Sequence, residues 1–137
     1  MPQYRDDPSI RDDDELWRRV PDQAEWWKWE SDGSVRPSSA AFLDNRSREL
    51  SVHLDRLTTQ DRVLNMYPQP YLAEILAGVP RSVVPPHAVA YVPEEGDGDD
   101  SHCLICPPDD CGINERRKAA KAMAKRARFR VPPPHPS

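Results

Sequence analysis

The clearest pattern along the chain is a strict alternation of apolar and polar side chains between residues 50 and 54. A period of two is that of a strand with one buried face, so Ser51 and His53 should point away from the core. Two further apolar runs, 88–92 and 101–106, are short and bounded by proline or polar residues, which is typical of buried strands. The middle of the chain is therefore predicted to form a sheet.

A second pattern, near the carboxyl end, has the period of a helix. Small apolar residues recur at i, i+3, i+4 and i+7, at Ala120, Met123, Ala124 and Ala127. We predict a helix that Asn114 caps and that runs to about Arg128. Small side chains bury little area, so this helix should pack close to its support. Residues 55–64 are compatible with a short helix, and residues 71–78 fit either a helix or a strand.

The first third of the chain is less regular. Three acidic residues precede the apolar segment 16–20, which favours the amino terminus of a short helix that Pro21 would stop. Three tryptophans then follow within four residues. Strand alternation would place Trp27 and Trp29 on one face and Trp26 on the other, where they would supply either buried area or a contact surface for a partner.

The composition agrees with one small α+β domain. The 137 residues include 16 prolines and 5 glycines, and prolines spaced between short apolar runs exclude a long coiled coil, a helical bundle and a large barrel. We predict a compact domain over residues 13–131, with a small mixed or antiparallel sheet, short helices and a basic C-terminal helix. Residues 1–12 are predicted to be a disordered acidic tail, and residues 132–137 a proline-rich tail.

Two further classes of protein are disfavoured by the sequence. No apolar run approaches the roughly 18 residues of a membrane span, and the predicted basic helix lacks the bulky apolar side chains that would insert into a lipid surface. The acidic amino terminus is neither a secretion signal nor a transit peptide. We therefore expect a cytoplasmic protein without a membrane partner, and the sequence leaves its oligomeric state open.

The formal net charge of −4 hides a strong asymmetry. Residues 113–131 contain eight basic residues and one acid, whereas the rest of the chain has 11 basic and 22 acidic residues. Such a basic segment is either neutralised within the molecule or a docking surface for an acidic protein or nucleic acid. The predicted partner-binding residues are Arg117, Lys118, Lys121, Lys125, Arg128, Trp26, Trp27 and Trp29.

Four soft metal ligands lie within ten residues: His102, Cys103, Cys106 and Cys111. Thiolate and imidazole are the donors that zinc prefers, and a C-x-x-C pair can direct two sulfurs at one ion. A second knuckle is missing, and adjacent histidine and cysteine ligands are awkward geometrically. The alternative is ordinary strand packing, with Cys103 and Cys106 on opposite faces. We expect no cofactor unless these residues hold zinc.

A third group of residues combines cations, a hydroxyl and imidazoles: Arg18, Arg36, Ser38, His53 and His102. If the fold brought them into one cleft, they would suit catalysis on a phosphate-bearing substrate. No phosphate-binding glycine loop and no G-x-S-x-G motif accompanies them. Ordinary surface or capping roles are the competing interpretation for the histidines.

Several short motifs, taken in order, resemble a family of small, uncharacterised bacterial proteins. They are Leu16-Trp17-Arg18-Arg19, Arg36-Pro37-Ser38-Ser39-Ala40-Ala41-Phe42, Leu50-Ser51-Val52, Ala77-Gly78 with Arg81, and Asp99-Asp100-Ser101-His102 before a basic helix. The resemblance covers residues 16–129 and implies a compact unit without indicating an activity. In that family a glycine–lysine stretch commonly follows the histidine, so the cysteines found here do not suggest a shared zinc function.

Three functions remain open at this point. The first is a non-catalytic accessory protein that binds a protein partner through its basic helix and tryptophan region. The second is a nucleic-acid-binding module, with or without a stabilising zinc ion. The third is a small enzyme that acts on a phosphate-bearing substrate. The sequence favours the first, because its charge asymmetry is the strongest functional signal.

Overall fold

The computed structural model describes residues 4–43, 49–93 and 98–136, and it confirms an α+β fold. The strands are β1 (Glu15–Val20), β2 (Trp27–Trp29), β3 (Val35–Pro37), β4 (Leu50–Leu54), β5 (Tyr71–Leu76), β6 (Ala88–Tyr91), β7 (His102–Cys106) and β8 (Arg128–Val131). The helices are α1 (Gln60–Met66), α2 (Gly78–Ser82) and α3 (Ile113–Lys125). Six strands form an antiparallel sheet in the order β6-β7-β4-β1-β5-β8, and β2 and β3 form a separate hairpin.

The two faces of the six-stranded sheet differ in character. One face, here called the covered face, carries the apolar side chains of β1, β4 and β7, such as Leu16, Val52 and Ile105, which form the main core with α3. The other, here called the polar face, carries the alternate side chains, among them His53 and His102. Among the described residues, no helix has the length and apolar character needed to cross a membrane.

The prediction of a helix over residues 16–20 is wrong, because this segment is the strand β1. It pairs antiparallel with β4 on one side and with β5 on the other. Leu16 and Val20 face the main core, and Trp17 packs on the polar face. A central strand satisfies its backbone on both edges and buries side chains on both faces. These tertiary gains outweigh the helix-start signal, and the strand ends directly before Pro21.

The strands predicted in the middle of the chain are confirmed as β4, β6 and β7. Leu50, Val52 and Leu54 lie in the main core, as their alternation predicted. The short helix predicted within residues 55–64 is present as α1, which is capped by Thr59. The undecided segment 71–78 is a strand, β5, followed by the start of α2.

The helix α3 is confirmed, with two differences at its ends. It begins after Gly112 rather than at Asn114, and Gly112 N donates a hydrogen bond of 3.2 Å to Glu115 Oε1. It ends at Lys125, and the following residues form the edge strand β8. Its buried side chains are alanines and one methionine, and it packs closely on the 3₁₀ turn at Ser39–Phe42 and on the covered face.

The predicted disordered tail, residues 1–12, is packed onto the domain over its described part, residues 4–12. Ile10 is only 1% exposed and belongs to the main core. The amide of Asp7 donates to the carbonyl oxygen of Val89, a residue of the edge strand β6, at 2.8 Å. Composition alone misses this because one buried isoleucine and several backbone bonds hold an otherwise polar segment.

The proline-rich tail predicted for residues 132–137 runs past the hairpin. Pro133 is buried, and the His135 ring lies 4.8 Å from the Trp29 ring. Ser137 lies outside the described residues.

Candidate functional site

The hairpin and helix α3 enclose a groove whose cavity volume is about 260 Å³. Its lining residues are Lys28, Arg36, Pro37, Ser38, Ser39, Lys121, Ala124 and Lys125. We call this feature the cationic groove, because all four of its ionisable lining residues are basic.

On one side of the cationic groove, the hairpin places two cations side by side. Lys28 on β2 and Arg36 on β3 are directly paired across the strands, so their side chains emerge on the same face. The turn between them is held by Asp32, whose Oδ1 accepts hydrogen bonds from Ser34 N at 2.9 Å and Ser34 Oγ at 2.6 Å. Gly33 completes the turn with a φ of 88°, a conformation that glycine adopts without strain.

On the other side, α3 presents Lys121 and Lys125, which are four residues apart and therefore neighbours on the helix surface. Ala124 lies beside them and is 6% exposed. Its small side chain lets the helix approach the hairpin closely, which keeps the two pairs of cations on opposite walls of one cavity.

The charges in the cationic groove are poorly balanced within the protein. Only Arg36 forms an ion pair, with Glu30, whereas Lys28, Lys121 and Lys125 have no ion-pair partner among the described residues. Like charges across a hairpin and at i,i+4 on a helix are destabilising. An anion bound between the two walls would relieve this repulsion.

Two hydroxyl groups also line the cationic groove. Ser38 Oγ donates to Glu25 O at 2.5 Å, which fixes the entry into the 3₁₀ turn. Ser39 is exposed, and its hydroxyl makes no hydrogen bond within the described part of the chain. It is therefore available as a donor to a ligand.

The remaining predicted partner-binding cations lie outside the cationic groove. Arg117 and Lys118 are exposed on α3 and do not line the cavity. Arg128 pairs with Glu74 on the polar face and does not line the groove.

The three tryptophans are engaged within the molecule. The Arg18 guanidinium lies 5.4 Å from the Trp26 ring centroid. Trp27 packs edge-on against Tyr71 at 5.6 Å, and Trp29 lies against the C-terminal tail. All three are half-buried, which supports a packing role at the flank of the groove.

The five candidate catalytic residues do not share one cleft. Arg36 and Ser38 line the cationic groove, whereas His53 and His102 belong to the opposite, polar face of the sheet. Arg18 lies beneath the 3₁₀ turn, where Nε donates to Ala41 O at 2.9 Å and Nη1 to Ser51 O at 3.0 Å. Burial lowers the pKa of Arg18 to about 10, so its guanidinium remains charged at neutral pH.

His53 is at the centre of a buried polar network. Its Nδ1 lies 3.2 Å from both Asp99 Oδ2 and Ser101 Oγ. Ser101 Oγ donates to Asp99 Oδ1 at 2.6 Å, and Tyr67 OH donates to Asp99 Oδ2. His102 lies beside this network, with Nε2 3.1 Å from Ser51 Oγ.

The network holds His53 neutral and Asp99 ionised. Burial lowers the pKa of His53 to about 4, even though the charge of Asp99 acts in the other direction. Burial raises the pKa of Asp99, but hydrogen bonds from Ser101 and Tyr67 outweigh this and bring it below its usual range. His53 and Ser101 are both 0% exposed, so the arrangement stabilises the fold and offers no entry to a substrate.

The three cysteines are buried and are not joined in disulfides. Cys103 lies in the main core of the covered face, and burial raises the pKa of its thiol to about 12. His102 and Cys106 occupy the alternate positions of β7 and lie on the polar face of the sheet, as the interpretation of this segment as a packed strand predicted. Within the described ranges, no three histidine, cysteine, aspartate or glutamate side chains are placed to hold a metal ion.

A pair of carboxyl groups on β1 and β5 has no counterpart in the sequence predictions. Glu15 and Glu74 line a cavity of about 530 Å³ together with Lys125 and Arg128. The hydrogen bond with Glu74, with burial and the neighbouring negative charges, raises the pKa of Glu15 to about 7. Burial opposes ionisation of Glu74, but its bonds with Glu15 and Arg128 lower its pKa. The pair therefore shares a proton near neutral pH.

Sequence reasoning gave four lining residues of the cationic groove as site candidates, considered Ser39 without including it among them, and missed Lys28. The hairpin pattern contained a signal for Lys28, because Trp27-Lys28-Trp29 and the Asp32-Gly33 turn together place it opposite Arg36. The position of Ser39 in the groove is set by the 3₁₀ turn that follows β3. So short a turn has no periodic sequence pattern from which it could be predicted. Comparison with known protein families, curated proteins and solved structures gave no match.

Proposed function

We propose that this protein is a non-catalytic accessory protein that binds an acidic segment of a protein partner in the cationic groove. The observation that supports the proposal is the convergence of Lys28, Arg36, Lys121 and Lys125 on one cavity, with only Arg36 paired to an acid among the described residues. Carboxylate or phosphate groups of a partner would satisfy these charges through charge-assisted hydrogen bonds.

A protein partner fits this surface better than nucleic acid does. Outside residues 113–131, the chain has 11 basic and 22 acidic residues, so the body of the molecule opposes the approach of a long polyanion. A duplex presents a charge about every 1.7 Å and is bound through an extended series of phosphate contacts. A cavity of about 260 Å³ instead suits a few side chains.

The groove favours binding over catalysis. No histidine in the described part of the chain lines it, and the carboxylate beside it, Glu30, is paired with Arg36. The Ser38 hydroxyl donates to a backbone carbonyl. Activation of a serine needs a base within hydrogen-bond reach, and the described residues of the groove do not supply one.

The test is a binding titration with a fluorescent eight-residue peptide that contains four glutamates. We expect saturable binding that weakens as salt rises, because the contacts are between exposed charges. The double variant Lys121→Glu plus Lys125→Glu should weaken binding by roughly a hundredfold, since two attractive contacts become repulsive.

The matched control is Arg117→Glu plus Lys118→Glu, which makes the same change of charge on the same helix outside the groove. It should reduce affinity only slightly. Equal losses in the two double variants would mean that net charge, and not the groove, governs binding. Tighter binding of an eight-nucleotide single-stranded DNA than of the peptide would assign the surface to nucleic acid and overturn the proposal.

A further inference from the structure

We infer that the group bound in the cationic groove is a phosphoryl group on a serine or threonine side chain of the partner. This inference rests on the proposed function and narrows it to one class of ligand.

The placement of the cations suits a ligand that contacts both walls. Lys28 and Arg36 lie on the hairpin wall, and Lys121 and Lys125 lie on the helix wall. A carboxylate has one charge and two oxygens in a plane. A phosphomonoester carries about −1.5 to −2 at pH 7 and three terminal oxygens arranged around phosphorus. It can therefore accept hydrogen bonds from both walls at once, whereas one carboxylate satisfies mainly one wall.

The donor types also fit a phosphoryl group. Lysine ammonium groups act as point charges for phosphate, and an arginine guanidinium adds directed donors. The Ser39 hydroxyl is exposed and without a hydrogen bond among the described residues, so it can donate to a third oxygen. Pro37 and Ala124 supply apolar surface between the cations, against which the methylene of a phosphoserine can pack.

Glu30 favours a compact anion over an extended polyanion. Its carboxylate pairs with Arg36 and places a negative charge beside the groove. A single phosphoryl group brings its charge to the cations with few further negative charges near this carboxylate. A nucleic acid strand would bring a long series of negative charges close to Glu30, which costs free energy.

The test compares three fluorescent peptides that differ at one central residue, which is phosphoserine, glutamate or serine in an otherwise neutral sequence. We expect the phosphoserine peptide to bind roughly tenfold more tightly than the glutamate peptide, because it engages both walls. Lys28→Ala and Lys121→Ala, one from each wall, should each remove most of this preference. Lys118→Ala, outside the groove, should retain it.

The outcomes separate this inference from the function on which it rests. If the four-glutamate peptide binds and the phosphoserine peptide shows no advantage over its glutamate counterpart, the inference is wrong and the proposed function stands. If none of the acidic peptides binds, both are wrong. If inorganic phosphate competes at the same concentration as the phosphoserine peptide, the ligand is free phosphate, which overturns the assignment to a partner side chain.

Discussion

At the scale of single residues, the most informative side chain is His53. It is fully buried, its Nδ1 lies between Asp99 and Ser101, and its Nε2 has no hydrogen-bond partner within the described part of the chain. A buried imidazole with one unsatisfied nitrogen is tolerable when neutral, because that nitrogen then carries a lone pair and no charge. Protonation would bury a positive charge and put a second N–H on a nitrogen that has no acceptor among the described residues. The network therefore stabilises the fold only while His53 is neutral.

This arrangement predicts a loss of stability in mild acid. The pKa of His53 falls from an ordinary 6.5 to about 4 in the folded protein. Between these values the unfolded chain binds a proton at His53 and the folded chain does not, so stability decreases as the pH falls through this window. We expect a contribution on the order of 3 kcal/mol across the window, measured as the free energy of unfolding in urea at several pH values.

The variant His53→Asn isolates this contribution, because an asparagine amide can donate to Asp99 and does not titrate. Glu15 acts in the opposite direction, since its pKa is raised from 4.5 to about 7 and the folded state gains stability as the pH falls between them. Because both proteins contain Glu15, its contribution cancels in the difference between the wild-type and His53→Asn profiles. Parallel profiles would show that His53 does not titrate in a buried site.

At the scale of elements, the cationic groove depends on how closely α3 approaches the hairpin and the 3₁₀ turn. The buried side chains of α3 are Ala119, Ala120, Met123 and Ala124. Little apolar area is buried by such side chains, so the helix is held by close packing and by the turn it contacts, and less by large anchors. The distance between the two walls of the groove therefore depends on this packing.

Enlarging a residue in this interface should separate the two walls. Ala120 is 0% exposed, so Ala120→Leu should destabilise the protein by about 1–3 kcal/mol through overpacking and should weaken binding of the acidic peptide. Ala122→Leu is the matched control, since Ala122 is only partly buried. Thermal unfolding and the peptide titration measure the two effects. Unchanged stability of Ala120→Leu would contradict the close packing.

At the scale of the whole molecule, residues 4–12 pack against the rest of the domain and are held there by Arg81. Arg81 on α2 donates to Asp6 at 2.8 Å, to Asp12 at 3.0 Å and to the carbonyl of Asp7 at 2.9 Å. Gly78 permits this approach, because a Cβ there would lie 3.0 Å from Asp12 Cβ. One arginine thus holds a polar segment against the body while Ile10 fills the core beneath it.

Loss of this arginine should release the segment without unfolding the sheet. In Arg81→Ala, we expect the amides of Asp7 and Ile10, which are hydrogen-bonded, to exchange with deuterium roughly tenfold faster, since about 1–3 kcal/mol of local stability is lost. The amides of β1 and β5 should exchange as before. Arg11→Ala is the control, because the Arg11 side chain is exposed and, among the described residues, its ion pair is with Asp13 at 3.7 Å. Protection that persists in Arg81→Ala would show that Ile10 alone anchors the segment.

Elements whose pattern is local could be predicted from the amino-acid sequence. The alternation of residues 50–54, the apolar runs that became β6 and β7, and the small-residue spacing of α3 each identified an element and its buried face. This succeeds because the period of two or 3.6 and the side of burial are fixed within one segment. The basic character of α3 was visible for the same reason.

Which segments meet could not be predicted in this way and is seen in the folded protein. Tertiary packing made Leu16–Val20 a central strand, packed residues 4–12 onto the domain, and placed the hairpin opposite α3 so that cations distant in sequence line one groove. It also separated Arg36 and Ser38 from the histidines. Such choices depend on contacts between segments, whose burial and hydrogen bonds outweigh local propensity. A groove is a property of a pair of elements, and no single stretch of sequence contains it.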